Sequence, residues 1–492
     1  MVDSLRKGAD LQPHTMTLFK PTALPLLATL AAFPLLAACG PDDAAVAQGE
    51  GAATELVCGA RQAAPGEPMV YFAPFDEAER QTLCALDLAR EELVVAQYNI
   101  RRDSYLNKLV ELKARGVAVR VAVDQANAAQ DWNTGDDFLE QNGIEVVRTK
   151  PPGARSIMHL KVAVVDGALA LTGSFNWNST AALTNDENMV VLRDPAVVQA
   201  YRQQVLEVLG ALAPAVQGGQ LTPEMGLHFS PEERLDEVLV QAIAAAEQTV
   251  DVAMFTFTSE PVADALVAAL DRGVRVRAVI ERKQTDMTKV DERLDKAGAL
   301  VVRGANKIAA HSAMHHKYAV IDGRRAVTGA SNWTDAGTRR NDEDLLLVDL
   351  PRVAAAYAGS FADLLHVYAE IDDPEAAPAE RAGVLLHVIH DGTKPGDRVV
   401  ATGDHPALGD WDPRRGLELQ TAQDEFPNWT GRFKLEAGRR IEYKYVTLTA
   451  AGAVVWEPGA NRVLEAHASG RALVVSAPFG DTSKSWTPAS AP

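Results

Sequence analysis

One stretch occurs twice in this chain, and the repeat limits how the chain can fold. The first copy begins at His159 and the second at His315, and each reads H-x-K-x4-D followed by Gly, Asn-Trp and Glu. The matched positions are separated by 156 residues throughout. One such pattern can arise by chance in a long chain, but a second copy with every later residue in register does not. The sequence therefore predicts two equivalent halves.

The repeated positions carry groups that suit phosphate chemistry. On a strand, residues i and i+2 point to the same face, so each His-x-Lys pair presents an imidazole and an ammonium together. Lysine is a compact cation for phosphate, and histidine can act as nucleophile or proton donor near neutral pH. Asparagine adds a neutral donor, and glutamate can orient a ring nitrogen. The candidate catalytic residues are His159, Lys161, Asn176, Glu187, His315, Lys317, Asn332 and Glu343.

Helix and strand patterns alternate around both copies. Apolar residues at helical spacing are followed by short apolar strands in each half, which indicates an α/β fold with sheets covered on both faces. The Asp-Gly pairs at 166–167 and 322–323 predict tight turns between strands. The run Ser230-Pro231-Glu232-Glu233 predicts a capping box at the start of a helix.

The duplicated motif resembles the signature of the phospholipase D superfamily, H-x-K-x4-D-x6-G-S-x-N, across residues 67–370. The resemblance implies a two-lobed α/β fold, with lobes at 67–212 and 222–369, whose copies face each other across one active site. One chain would then hold a complete site, so a monomer is sufficient.

The same resemblance implies roles for the repeated residues. His159 would attack phosphorus and His315 would protonate the leaving group, with no metal or other cofactor. Asp166 and Asp322 would brace the motifs. The second copy has Ala330 where the family often has Ser, which would weaken one phosphate contact.

The N-terminus resembles a bacterial lipoprotein signal. An uncharged run from 21 to 38 follows Lys20 and ends at Cys39. This predicts a signal peptide at 1–38, an acylated Cys39, a tether at 39–66 and a membrane-anchored location in the cell envelope, with Met16 as an alternative start. An ordinary secretory signal is the other interpretation. Cys58 and Cys84 would then form a disulfide or remain two thiols, and both options stay open.

After an acidic, Pro- and Ala-rich linker at 370–382, residues 383–478 show short strands and frequent turns, the pattern of an all-β sandwich. This segment resembles the family-20 carbohydrate-binding module, or starch-binding domain. The resemblance implies an α-glucan site with Trp411 and Trp456 as the stacking platform and Lys444 and Asn461 as polar contacts. The alternative is that these tryptophans are core residues of a sandwich that has lost its affinity for sugar.

Composition narrows the class of function. The net charge of −18 disfavours a general nucleic-acid binder, although Arg324, Arg325, Arg339 and Arg340 cluster near the second motif. The sequence predicts an exported phosphodiesterase of the phospholipase D type that acts on phospholipids. The alternatives are an exported nuclease of the same superfamily and a glucan-binding surface protein with a vestigial catalytic half.

Overall fold

The computed structural model describes residues 67–213, 218–306 and 308–481. The predicted signal, the tether, Cys39 and Cys58 lie outside these ranges. Cys84 is disulfide-bonded. Within the described ranges, no helix combines the length and the apolar character needed to cross a membrane.

The first lobe is a seven-stranded sheet with helices beside it. Its strands are β1 (Met69–Ala73), β2 (Glu92–Gln97), β3 (Ala118–Asp124), β4 (Glu145–Thr149), β5 (Lys161–Val165), β6 (Leu169–Gly173) and β7 (Glu187–Leu192). Its helices are α1 (Ala78–Asp87), α2 (Asp103–Ala114), α3 (Gln125–Ala128), α4 (Gly135–Gln141), α5 (Ser179–Leu183) and α6 (Pro195–Val208). The strand order is β1-β7-β6-β5-β2-β3-β4, with β2, β3 and β4 parallel.

The second lobe repeats this plan in an eight-stranded sheet. Its strands are β8 (Gly219–Gln220), β9 (Met225–Ser230), β10 (Thr249–Met254), β11 (Arg275–Glu281), β12 (Leu300–Gly304), β13 (Lys317–Ile321), β14 (Arg325–Thr328) and β15 (Glu343–Val348). Its helices are α7 (Leu235–Ala244), α8 (Glu260–Asp271), α9 (Arg282–Thr285), α10 (Val290–Lys296), α11 (Asp335–Arg339) and α12 (Pro351–Ala369). The order is β12-β11-β10-β13-β14-β15-β9-β8.

Each sheet is buried on both faces, as the apolar strands predict. On β5, Val162 and Val164 face a core shared by the two lobes, whereas Ala163 and Val165 face the outer helices of the first lobe. The shared core contains residues of both sheets together with α6 and α12. The lobes are therefore joined by a continuous apolar layer.

Two local predictions had different outcomes. The predicted tight turns are present: Asp166, Gly167, Asp322 and Gly323 all have positive φ, as the two central residues of a type I′ turn require. The predicted capping box is wrong. Ser230 ends β9, its hydroxyl donates to the carbonyls of Gly337 and Asn341, and α7 begins only at Leu235. Because this hydroxyl is already used, it does not cap α7.

The C-terminal domain is a β-sandwich. Its strands are β16 (Arg381–Ile389), β17 (Arg398–Gly403), β18 (Leu417–Leu419), β19 (Asn428–Glu436), β20 (Arg440–Leu448), β21 (Val454–Trp456), β22 (Arg462–Glu465) and β23 (Leu473–Pro478). One sheet has the order β19-β16-β23, and the other has β18-β17-β20-β21 with β22 on β20. Both sheets contribute to one core. The predicted fold class, a two-lobed α/β fold followed by an all-β sandwich, is confirmed.

The segment predicted as a linker, 370–382, makes fixed contacts in this structure. Asp373 pairs with Arg277 at 2.8 Å and Glu375 pairs with Arg275 at 2.5 Å. Both arginines lie on β11, so the acidic residues of the linker hold it against the second lobe.

Candidate active site

The two motifs meet where the lobes face each other. Two isolated β-bridges connect the lobes, one between Met158 and Asp342 and the other between Asp186 and Met314. The backbone N–H of His159 donates to the carbonyl of Asp342, and that of His315 donates to the carbonyl of Asp186, both at 2.9 Å. The backbone position of each histidine is therefore set by the opposite lobe.

Each histidine is oriented by the glutamate of the other copy. His159 Nδ1 lies 2.7 Å from Glu343 Oε2, and His315 Nδ1 lies 2.8 Å from Glu187 Oε1. Both carboxylates are completely buried. A carboxylate at Nδ1 favours the tautomer with its proton there, which leaves Nε2 of each ring for chemistry. The two copies therefore form a single site.

Two asparagines complete this arrangement, and the sequence analysis missed them. Asn185 Nδ2 donates to Glu187 and Asn341 Nδ2 donates to Glu343, both at 3.0 Å. Their own side-chain oxygens accept from the opposite lobe, from Ala313 N and Ile157 N. The available signal was that both lie two residues before a repeated glutamate and share the 156-residue offset.

The two lysines are buried beside the histidines. Lys161 Nζ donates to the carbonyl of His159 at 2.5 Å, and Lys317 Nζ donates to that of His315 at 2.7 Å. Burial lowers the pKa of Lys161 to about 8 and that of Lys317 to about 7, against the opposing effect of the buried glutamates. A bound phosphate anion would favour the charged form of both lysines.

An aromatic ring stands beside each His-Lys pair, and the sequence analysis named neither ring. Tyr98 follows β2, and its ring centroid is 5.0 Å from that of His159. Phe255 follows β10, and its centroid is 4.5 Å from that of His315. The ammonium groups lie 5.4 Å and 5.1 Å from the same two rings. These rings wall the site and exclude water from one side of each pair.

Burial also shifts the pKa values of the two histidines and of Glu343. Burial, with the charges of Lys161 and Lys317, holds the pKa of His159 well below its usual value. Burial lowers the pKa of His315 too, but there the Glu187 carboxylate opposes the shift. Burial raises the pKa of Glu343, but the Lys161 ammonium and the hydrogen bond from Asn341 oppose that shift and favour its carboxylate form. A neutral imidazole with a free Nε2 is the form that a nucleophile requires.

The repeated asparagines of the motif are poised for a ligand. Asn176 Oδ1 and Asn332 Oδ1 are buried without a hydrogen-bond partner among the described residues. An unpartnered buried polar atom is costly, and a ligand in the site could relieve that cost. Either end of an amide can be turned toward such a ligand.

The repeated aspartates lie at the hairpin turns and accept backbone N–H groups. Asp166 accepts from residues 90–92 at the start of β2. Asp322 accepts from residues 247–249 at the start of β10. In both lobes the carboxylate ties the turn after the motif strand to the neighbouring strand.

The expected loss of a phosphate contact at Ala330 is wrong, and three of the arginines near the second motif are engaged in ion pairs. Ser174, the counterpart of Ala330, is fully buried and its hydroxyl accepts from Asn188 N at 2.9 Å, so the exchange alters a contact within the fold. The arginine cluster does not supply an open cationic groove, because three of its members pair with carboxylates. These pairs are Arg325 with Asp349, Arg339 with Asp236, and Arg340 with Asp335.

Two of the predicted sugar residues, Trp456 and Lys444, lie on the five-stranded sheet of the sandwich, whereas Asn461 precedes β22 and Trp411 lies on a 3-10 turn. Trp456 on β21 is 42% exposed and pairs with Val446 of β20. Lys444, also on β20, donates to the carbonyls of Glu457 and Gly459. Asn461 Nδ2 donates to Glu442 at 3.1 Å. Trp411 is half-buried and ends the 3-10 turn at Pro406–Trp411, which packs beside β17.

Comparison with family models separates the same two parts. The model described as "Cardiolipin synthase, PLD-like domain" matches residues 82–209 and 239–365, which together are more than half of the chain. The model described as "Starch binding domain" matches residues 382–476. The catalytic-half and sandwich resemblances are both confirmed.

Individual proteins match only parts of the chain. A mitochondrial cardiolipin hydrolase of Chlamydomonas reinhardtii is 31% identical over 126 residues, 26% of this chain and 55% of that protein. An α-amylase of Streptomyces violaceus is 40% identical over 79 residues, 16% of this chain and 14% of that protein. The chain thus spans little more than half the length of the first relative, and less of the second.

A solved structure extends the likeness to both lobes. Phosphatidylserine synthase of Haemophilus influenzae has a TM-score of 0.50 and 13% identity, and the match covers 62% of this chain and 89% of that chain. At this identity the match shows the shared fold.

Proposed function

The chain belongs to the phospholipase D superfamily, and we propose on that premise that it is an exported phosphodiesterase that acts through a phosphohistidine intermediate. The observation that carries the proposal is the crossed pairing of His159 with Glu343 and of His315 with Glu187. Two imidazoles, each oriented from the opposite lobe, can serve one substrate with divided roles.

In the first step His159 Nε2 attacks phosphorus. The P–N bond forms as the P–O bond to the leaving group breaks, and His315 Nε2 gives its proton to the departing oxygen. The low pKa of the His159 imidazole keeps its lone pair free, while Glu187 stabilises the positive charge that His315 must carry as an acid. Lys161 and Lys317 neutralise charge that accumulates on the non-bridging oxygens.

In the second step water resolves the intermediate. His315, now neutral, takes a proton from a water molecule. The oxygen of that water attacks phosphorus as the P–N bond breaks. His159 returns to its neutral state, and Glu343 holds its ring in place for the next cycle. Asn176 and Asn332 hold the phosphoryl oxygens through both steps.

Phospholipid is the proposed substrate class, and α-glucan is the proposed ligand of the C-terminal domain. Relatives that match the catalytic half include a cardiolipin hydrolase, which supports a lipid phosphodiester. The exposed Trp456 beside Lys444 offers an indole for sugar stacking. We expect Trp456→Ala to reduce binding of the full chain to soluble starch. A wild-type chain that binds no α-glucan would contradict a sugar-binding role.

The activity is tested on the full chain in detergent. Phosphatidylcholine, phosphatidylglycerol, single-stranded DNA and bis(4-nitrophenyl) phosphate are offered separately. The leaving group released from each diester and the phosphoryl group trapped on the protein are measured. We expect cleavage of phospholipid and of the small diester, with acid-labile phosphate on His159 that is absent from His159→Ala. Turnover without any labelled histidine would refute the mechanism. Preference for DNA would instead assign a nuclease.

Membrane attachment through Cys39 is tested separately. Acylation depends on that thiol, so Cys39→Ser should take up no labelled palmitate and should leave the membrane fraction of a Gram-negative host. If the wild-type chain takes up no label, the anchor proposal is rejected.

A further inference from the structure

The C-terminal domain is docked beside the active site, and we propose that this junction is a second glycan subsite, built on Trp132, Arg101 and Asp424. The subsite would guide a phosphodiester that carries an α-glucan chain toward His159. This substrate class rests on the proposed phosphodiesterase function. The sugar binding at the junction can be tested without it.

One loop of the sandwich contacts both catalytic lobes. Residues 420–427, between β18 and β19, make three polar contacts across the junction. These join Gln420 to Arg102 at 3.2 Å, Asp424 to Arg101 at 3.6 Å, and Glu425 to His311 at 3.0 Å. The two arginines follow β2 in the first lobe, whereas His311 precedes His315 in the second. The loop therefore connects the segment that follows Tyr98, whose ring packs on His159, with the segment that leads to His315.

Further contacts fix the domain in this position. They join Arg432 to the carbonyl of Ala182 at 3.0 Å, Lys434 to Asp76 at 3.0 Å, and Arg471 to Asp363 at 3.3 Å. Arg471 is buried, and a buried charge with a fixed partner is expensive to separate. The loop at 420–427 is thus held in place and can contribute to a binding site.

Trp132 supplies the stacking surface at this junction. It lies between α3 and α4, after the carboxyl end of β3, and is 55% exposed. The guanidinium of Arg101 sits 4.7 Å from its ring centroid, and Asp424 Oδ2 lies 3.6 Å from Nη2 of the same guanidinium. An exposed indole flanked by a cation and a carboxylate matches a sugar, which has an apolar ring face and hydroxyl groups at its edge.

A hydrogen-bonded network links this surface to the catalytic wall. Arg101 Nε donates to Asn99 Oδ1 at 3.1 Å, and Asn99 Nδ2 donates to Asn127 Oδ1 at 2.7 Å. Asn133, next to Trp132, donates to the same Asn127 oxygen at 2.9 Å. Asn99 directly follows Tyr98, whose ring packs on His159. A chain bound at Trp132 would therefore lie on the His159 side of the site.

The charges favour a glycan over a membrane surface at this position. Asp131 and Asp424 flank Trp132 and Arg101, and carboxylates are costly to press into an anionic bilayer. The whole chain has a net charge of −18, which opposes such a surface as well. The loop that supplies Gln420 and Asp424 belongs to the starch-binding domain, so an α-glucan is the occupant that fits the domain's own chemistry.

The first experiment measures substrate preference in the full chain. Maltosyl 4-nitrophenyl phosphate diester and methyl 4-nitrophenyl phosphate diester are compared. Trp132→Ala should lower the maltosyl-to-methyl ratio of kcat/KM by about tenfold, mainly through KM, because a lost stack has that order of effect. Trp132→Tyr should keep most of the preference. An unchanged ratio in Trp132→Ala would overturn the proposal.

Met287→Ala is the matched control. Met287 is 63% exposed in the α9–α10 connection, the counterpart in the second lobe of the connection that holds Trp132, and its replacement should leave the ratio unchanged. Equal thermal unfolding midpoints for all variants would establish that each is folded.

The second experiment measures sugar binding without catalysis. In native gels that contain amylopectin, Trp456→Ala should still be retarded because the junction remains, whereas Trp132→Ala with Trp456→Ala should migrate freely. Met287→Ala with Trp456→Ala should behave as Trp456→Ala does. Equal mobility of Trp456→Ala and the Trp132 double variant would reject the subsite.

The two experiments separate the possible failures. A wild-type chain that cleaves neither diester would refute the proposed function, and the gels would still decide on the subsite. A wild-type chain that cleaves both without preference would refute the inference alone. If Trp132→Ala weakened binding to phosphatidylglycerol vesicles but changed neither glycan measurement, the surface would be assigned to membranes and the glycan subsite rejected.

Discussion

The two copies of the motif share one geometry but have different neighbours. His159 and His315 each face a carboxylate from the other copy, at 2.7 and 2.8 Å. The ring beside His159 is Tyr98, whereas the ring beside His315 is Phe255. The duplication thus supplies a symmetric frame, and residues around it give each imidazole its own environment. Two chemically different imidazoles can divide the roles of nucleophile and acid.

The two copies also differ at the residue that directly follows each repeated glutamate, which is Asn188 in the first copy and Asp344 in the second. Asn188 in the first copy accepts from Thr328 Oγ1 at 3.0 Å, in the opposite lobe. Its counterpart Asp344 accepts from Thr172 Oγ1 at 2.6 Å, again across the lobes, and from Tyr201 at 2.8 Å. Each lobe therefore donates a threonine hydroxyl to the other, but only the second copy buries a carboxylate there. The two residues occupy matching positions, but Asn188 is a neutral amide and Asp344 is an acid.

Removing either histidine should have the largest effect. His159→Ala and His315→Ala should each lower kcat on phospholipid by on the order of 10⁴-fold, and the double variant little further, because the two act as one unit. Steady-state rates of the three variants test this. If each single variant kept half of the wild-type rate, the copies would be two separate sites, and the shared mechanism would be abandoned.

Replacing the glutamates should expose the crossed pairing. Glu343→Gln should behave like a His159 variant and lower formation of the phosphohistidine, whereas Glu187→Gln should impair protonation by His315. Each loss should be about 10²-fold or more, since an amide no longer holds the required tautomer. Burst-phase labelling separates the two. Identical defects in labelling and in release of the leaving group would show that the copies do not differ in role.

The lysines should set the alkaline limit of activity. Their cationic forms are present below the folded pKa, which is about 7 for Lys317 and about 8 for Lys161. As pH rises through 7 and then 8, the site loses positive charge, so kcat/KM should fall. Lys317→Arg stays charged at these pH values and should move the decline upward. If the alkaline limb is the same in Lys317→Arg, another group titrates there.

Replacing Asp344 or Ser174, which are buried behind the catalytic residues, should have the smallest effect on activity and a measurable effect on stability. Asp344→Asn places an amide where three donors converge, namely Thr172 Oγ1, the Tyr201 hydroxyl and Ala330 N. It should cost about 1–3 kcal/mol of unfolding free energy. Ser174→Ala makes the first copy resemble the second and should cost about 1 kcal/mol, from the lost bond to Asn188 N. Urea unfolding measures both. If Ser174→Ala lost more unfolding free energy than Asp344→Asn, the expected order would be wrong, and the hydrogen bond to Asn188 N would matter more than the buried carboxylate.

Much of the fold could be predicted because its signals are local. The 156-residue offset shows a duplication, the period of two on a strand puts His159 and Lys161 on one face, and Asp-Gly marks the turn that follows. Trp456 was predicted through the resemblance of residues 383–478 to the starch-binding module, which also depends on landmarks in their order along the chain. Each inference needed only residues that are close in sequence or in register.

The partners within the site were decided only by the tertiary structure. His159 and Glu343 are 184 residues apart in the chain, and a repeat offset does not say whether a glutamate serves its own copy or the other. Packing of the two lobes around a shared core chooses the crossed pairing and brings in Asn185 and Asn341. The same is true of Trp132 and Asp424, which lie on different domains. Sequence periodicity describes a residue's own strand or helix, whereas burial between lobes and domains determines what that residue meets.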